Sequence, residues 1–262
     1  MTAGFHATNR AVLRISGDEA RDFLQNLVTN DMDGLETGPV YAALLTPQGK
    51  YLFDFFLIPD GETILVDVAA DRAEDLARRL TMYRLRAKVA VEVTDLAVVL
   101  GTGVVPILPL AFLDPRLPDL GWRAYGADAE LILAGIAPLD PGALTALRIA
   151  HGVPETGVEL IPDESYILEM GFERLRGVDF RKGCYVGQEV TARMKHKTEL
   201  RKGLARVTIL GETPPPGTEI RAGDKAVGTL LSAVEGAGLA YLRFDRASGP
   251  LTAGAAEITA EI

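Results

Sequence analysis

The tightest constraint on the fold is a run of three apolar segments closed by two turn signals. Residues 41–45 and 51–58 read as strands joined by Thr46-Pro47-Gln48-Gly49-Lys50, and Asp60-Gly61 turns the chain again before 63–68. Connections this short pair neighbouring strands antiparallel, so the segment predicts a three-strand meander. Ser16-Gly17-Asp18-Glu19 reads as a capping box opening a helix, with an apolar stripe of Ala20, Phe23, Leu24, Leu27 and Val28. Thr29-Asn30-Asp31 would end it. Ala73, Leu76, Ala77, Leu80 and Tyr83 mark a second helix, with a strand expected over 88–93. Beyond this, 96–100 and 130–134 are expected strands around a proline-rich stretch from Pro106 to Pro118. Residues 141–151 predict a helix burying Leu144 and Leu147, stopped by Gly152-Val153-Pro154. After Pro214-Pro215-Pro216-Gly217, short strands over 218–221, 225–234, 239–244 and 256–262 predict a small β-barrel or sandwich. The chain reads as α+β, with an N-terminal part over 1–94, a second α+β part over 95–199 and a C-terminal barrel over 200–262.

Charge is unevenly spread. The formal net charge is −9, yet residues 172–206 carry ten cations against four acids. An acidic body disfavours general binding to nucleic acid or anionic membrane, and a local basic patch suits a specific anionic ligand. Inside that patch lies the only cysteine, Cys184, in Lys182-Gly183-Cys184-Tyr185-Val186-Gly187-Gln188-Glu189. Lys182 and the start of a helix expected from Gly187 would both favour a thiolate. One cysteine excludes an internal disulfide and cannot hold an iron–sulfur cluster alone, which leaves a shared ligand or a redox or transfer thiol. No signal segment or membrane-length apolar run is read, so the expectation is a cytoplasmic protein.

Asp54 is the other position of interest, a carboxylate that alternation places with Leu52, Phe56 and Ile58. On an apolar face it must be paired or bind something; on a wet edge it would be an ordinary surface acid. Other chemistries lack their motifs. Gly101-Thr102-Gly103 reads as a turn, no phosphate loop or Gly-x-Ser-x-Gly elbow is present, and His6, His151 and His196 show no metal-ligand spacing.

The octapeptide 182–189 resembles the signature of the YgfZ-type folate-binding proteins, relatives of the glycine-cleavage T-protein (aminomethyltransferase) that include mitochondrial iron–sulfur assembly factors. Weaker likenesses follow in family order: 23–31 to the first helix and its Thr-Asn-Asp end, 49–54 to a Gly-x-x-x-x-Asp hairpin, and 148–154 to an Arg-Ile-x-x-Gly-x-Pro segment. Ile161-Pro162 and 228–244 extend the match over nearly the whole chain.

The resemblance implies three parts around a central opening that holds tetrahydrofolate, closed by a C-terminal β-barrel. It implies a role in making or maintaining iron–sulfur clusters, including those of tRNA-modifying enzymes, with assembly proteins or client enzymes as partners. On that basis Cys184 is the candidate reactive or ligating thiol, tuned by Lys182, and Asp54, Gln25 and Asn30 are candidate folate contacts. Arg148 and Arg193 are candidate cations for the folate carboxylates, with Tyr185, Gln188 and Glu189 completing the proposed cofactor set. No metal site is expected within the chain itself. Two departures separate the chain from the aminomethyltransferase branch: Phe53 precedes Asp54 where T-protein pairs two acids, and Ala150 stands where T-protein has an acid. The alternatives are a folate-dependent aminomethyl or one-carbon transferase, and a docking module for a partner or tRNA.

Overall fold

A computed structural model describes residues 2–196 and 199–261. In chain order the N-terminal elements are β1 (Ala3–His6), β2 (Arg10–Ser16), α1 (Ala20–Gln25), β3 (Val40–Leu45), β4 (Tyr51–Asp60), β5 (Thr63–Ala69), α2 (Ala73–Tyr83) and β6 (Ala90–Val93). The second group is β7 (Ala97–Thr102), β8 (Ala111–Leu113), β9 (Trp122–Gly126), α3 (Ala129–Leu133), β10 (Ala137–Pro138), α4 (Pro141–Ala150) and α5 (Gln188–His196). Strands β11 (Lys202–Leu210), β12 (Glu219–Ala222), β13 (Lys225–Val234), β14 (Ala237–Arg243), β15 (Leu251–Ala253) and β16 (Ala256–Glu261) complete the chain.

The expected meander forms β3-β4-β5 and extends through β2 to β6 as a five-stranded sheet. Both faces are covered, so β3 is buried along its whole length. One face packs on α1 and α2 through Leu24, Phe55, Leu57, Leu76 and Leu80. The other, with Tyr41, Phe56 and Ile58, packs on the irregular segment carrying Leu160, Ile167 and Phe172. Each such side chain removed from water contributes about 1.5–3 kcal/mol, and sandwiching one sheet between two cores makes it the centre of the molecule. Alternation along β4 breaks at a register shift between Leu44 and Leu45, which turns Leu52 into the helix-side core while Tyr51 joins the face of Phe56. The expectation that Leu52 shares the face of Asp54 fails on that bulge.

A second five-stranded sheet, ordered β10-β1-β7-β9-β8, draws its β1 from the N-terminus of the chain. The last six strands close into a barrel, β11-β14-β13-β12-β15-β16, around Val207, Ile220, Leu230 and Leu242. Leu204 and Tyr241 on the barrel wall pack against the central core, so all three parts meet there.

Three local expectations are corrected. Ser16 stays in β2, and Glu19 accepts a hydrogen bond from the Lys88 backbone N–H at 2.6 Å instead of closing a capping box, so α1 spans only Ala20–Gln25. The strand expected at 130–134 is the short helix α3, because Asp128 caps its first turn by accepting from the Glu130 N–H. Helix α4 buries Ile149, while Leu144 and Leu147 stay half-exposed because Leu144 faces a cavity.

Candidate functional site

Strands β1, β4, β7 and β9 and helix α4 surround a central cavity of about 570 Å³, a size at which small-molecule pockets of roughly 300–1,000 Å³ fall. Phe56, Leu100, Leu120 and Trp122 supply apolar wall, and Arg10, Asp54, Asp114, Arg116, Arg123 and Arg148 supply charge.

Asp54 is buried and accepts three hydrogen bonds, from Tyr51 Oη (2.8 Å) and Thr156 Oγ1 (2.5 Å) at Oδ1 and from Tyr41 Oη (3.0 Å) at Oδ2. Burial, then the neighbouring Asp54 carboxylate, raises the pKa of both tyrosines, so both stay protonated donors. A carboxylate has about four lone-pair sites, which leaves one on Oδ2 for a further donor. Of the two positions alternation left open for Asp54, a buried face or a wet edge, the structure has the buried face.

Sequence reasoning missed the larger network beside it. Asp67 on β5 is fully buried and takes Arg10 Nε at 2.6 Å, Arg123 Nη1 at 2.7 Å and Tyr125 Oη at 2.9 Å. Asp114 holds Arg116 through two bonds (3.0 and 2.8 Å) and Arg123 Nε at 3.4 Å. Burial raises the Asp114 pKa, but Arg116 and Arg123 outweigh it and hold the net value below the ordinary carboxylate. The Arg123 guanidinium lies 3.7 Å over the Phe56 ring, with Arg116 at 4.9 Å and Arg10 at 5.8 Å. The buried Arg123 and the half-buried Arg10 and Arg116 therefore stand against Asp54, Asp67 and Asp114, and mutual neutralisation is what allows them in the interior. The available signal was Asp67 itself, an acid in the apolar strand Ile64-Leu65-Val66-Asp67-Val68, the same pattern that singled out Asp54.

Arg148 bridges the cavity to the barrel. It donates to the Val153 carbonyl (3.0 Å), to the buried Glu159 (2.9 Å) and to Ser232 Oγ on β13 (3.0 Å). Ser232 in turn donates to Glu159. Arg148 Nε is buried and makes no hydrogen bond among the described residues, with Glu155 in ion-pair range at 3.3 Å.

The cysteine motif lies elsewhere. Cys184 is exposed on the loop before α5. Lys182 is buried, and its Nζ donates to the carbonyls of Gln25, Val28 and Asn30 at 2.7, 2.7 and 2.8 Å. All three ammonium donors are spent on these carbonyls, so Lys182 ties the loop to the turn after α1. Tyr185 is buried behind Cys184, Gln188 Oε1 accepts from the Tyr185 N–H at 3.3 Å, and Glu189 and Arg193 are exposed on α5. Gln25 bonds Asp31 and the Met32 N–H, and Asn30 bonds the carbonyls of Tyr41 and Arg176, so both hold the α1 turn. Of the ten candidate residues, only Asp54 and Arg148 line the cavity.

The basic run does not converge on the cavity either. None of its described cations lines it: Lys182 is buried against the turn after α1, and α5 and β11 carry Arg193, Lys195, Lys202 and Arg206 on the outer surface. There Lys195 pairs with Glu173, Arg206 with Glu261, Lys202 with Glu169 and Arg181 with Asp179. Lys197 lies outside the described residues. Among the described residues no three His, Cys, Asp or Glu side chains form a metal site, and no helix is long and apolar enough to cross a membrane.

Comparison with known proteins fits this architecture. The whole chain superposes on the glycine cleavage system aminomethyltransferase T from Bartonella henselae with a TM-score of 0.82, covering 99% of this chain and 84% of that one. At 14% identity this likeness shows the fold. The family described as CAF17, C-terminal beta-barrel domain, matches residues 201–262. The iron–sulfur cluster assembly factor IBA57, mitochondrial, of Homo sapiens is 31% identical over 97% of this chain and 81% of its own length. The Mus musculus protein is 31% identical over 94% and 79%, and the Pyricularia oryzae homolog 31% over 93% and 72%. These relatives are all named mitochondrial, which overturns the cytoplasmic expectation, since that rested only on unseen signals. With such identity spread along most of both chains, the protein belongs to the IBA57 family of iron–sulfur cluster assembly factors.

Proposed function

We propose that this protein supports iron–sulfur cluster assembly by presenting Cys184 to iron or to a cluster held in part by a partner, with tetrahydrofolate in the central cavity. The carrying observation is the thiol: the only cysteine of the chain is exposed, on a loop pinned from behind by the three bonds of Lys182. A single thiolate supplies one ligand of the several a cluster needs, so the others come from the partner. Client enzymes, those that modify tRNA included, receive the finished cluster.

The cavity residues suit a folate. The pterin fits the slot between Phe56, Leu100 and Trp122, where Asp54 Oδ2 keeps one acceptor site for a ring N–H. Tetrahydrofolate, when bound, supplies a one-carbon carrier.

Two arms of one experiment separate the parts of this reading. In anaerobic calorimetry the intact protein and Cys184→Ser bind tetrahydrofolate equally, and Asp54→Asn binds more weakly. In cells lacking the protein, Cys184→Ser fails to restore cluster-dependent enzyme activity. Full restoration sinks the thiol role, and no binding by the intact protein sinks the folate role, leaving docking as the function.

A further inference from the structure

Away from both sites, the end of helix α2 forms a second chemical anomaly in an acidic protein. From Leu76 to Val91 the chain carries Arg78, Arg79, Arg84, Arg86 and Lys88 and no acid, against a net charge of −9 overall. Two large apolar side chains project from this segment, Met82 at 59% exposure and Leu85 at 88%. Leu85 also has a φ of +45°, a left-handed backbone that a branched apolar residue rarely adopts.

The segment is held in place. The Arg84 guanidinium donates to the Val89 carbonyl at 2.8 Å, the Lys88 N–H donates to Glu19, and the Ala87 N–H closes on the Arg84 carbonyl. A built tip that keeps its apolar residues in water, in a conformation glycine would adopt without strain, is a candidate contact for something outside the chain.

We infer that the α2 tip, with Met82 and Leu85 exposed and the exposed Arg86 and Lys88 following them in the chain, docks an acidic protein partner that offers an apolar notch rimmed by carboxylates. Charge complementarity selects an anionic surface, and the cation type selects among anionic surfaces. Arg84 is spent on the Val89 carbonyl and Arg78 pairs with Asp75 at 3.3 Å, so the exposed Arg86 carries the match: its planar fork takes a carboxylate in two parallel bonds, and arginine is enriched at protein interfaces. An anionic bilayer reads charge alone and takes lysine equally well, and two apolar side chains give it little to hold. The tip lines neither the central cavity nor the cysteine loop, so the inference stands whatever becomes of the proposed folate or thiol roles.

The test places a photoreactive benzoylphenylalanine at position 85 of the full chain and irradiates the cells that make it. A single protein adduct is expected, mapped to a segment with clustered Asp and Glu. That protein, purified, binds the intact chain and binds Arg86→Glu roughly tenfold or more weakly, since like charges meeting across an interface are costly. Leu85→Gly is expected to bind weakly while unfolding at a higher temperature, which separates lost docking from lost folding. Adducts to lipid, to a second copy of the chain, or to a segment without carboxylates overturn the inference, as does the absence of any adduct.

Discussion

Lys182 shows how a motif residue can be chosen for a reason other than the chemistry beside it. Burial lowers its pKa to about 8, with Asp31 and Asp179 partly opposing the shift. The folded chain therefore holds this proton less tightly than the unfolded one, and unfolding takes up a proton between about pH 8 and the ordinary value of 10.5. Stability rises with pH across that window. Denaturant unfolding of the intact protein and Lys182→Met should show the difference between them growing from pH 8 upward; a constant difference would mean that the ammonium is not desolvated. The octapeptide was legible as a unit in the sequence, with Cys184 as its candidate thiol. What stayed hidden was the direction in which Lys182 points, because its three acceptors are backbone carbonyls more than 150 residues earlier, and carbonyls leave no mark in sequence.

Among elements, the turn of the β3–β4 hairpin and the start of α5 fit because two glycines meet. Gly187 has a φ of +84°, and a Cβ there would stand 2.6 Å from the Thr46 carbonyl oxygen and 2.9 Å from Leu45 Cβ. At Gly49, with a φ of +75°, a Cβ would stand 2.8 Å from Val190 Cβ. Gly187→Ala is expected to cost about 1–3 kcal/mol, measured by urea unfolding, and to speed alkylation of Cys184 by freeing its loop. An unchanged midpoint would show that the turn moves aside at no cost. The hairpin and the barrel strands were readable from alternation and turn residues, and α5 from the motif. The capping box at Ser16 was misread because local pattern lost to a tertiary partner, Glu19 being claimed by the Lys88 backbone, and the strand at 130–134 because the local cap from Asp128 was overlooked.

Across the whole molecule, the two sheets are held together by charge as well as by packing. Arg10 on β2 and Asp67 on β5 belong to the first sheet, and Arg123 and Tyr125 on β9 to the second. Asp67→Asn keeps the shape and leaves the buried Arg123 and the half-buried Arg10 short of a partner, so a loss of about 3–5 kcal/mol is expected, read as a lower denaturation midpoint. A loss under about 1 kcal/mol, the scale of an exposed ion pair, would mean that water already reaches the cluster. The sequence carried the three-part arrangement through its family likeness, but it did not show which arginines would gather around Phe56, since they come from β2, β9 and the loop before it. Arg148 belongs to this scale too, because one guanidinium lines the cavity and also grips Ser232 and Glu159 at the foot of the barrel. Cavity and barrel thus share a single free-energy balance. On the proposed folate role, a partner that reseats the barrel would change the affinity of the cavity, and filling the cavity would change the affinity for that partner by the same factor.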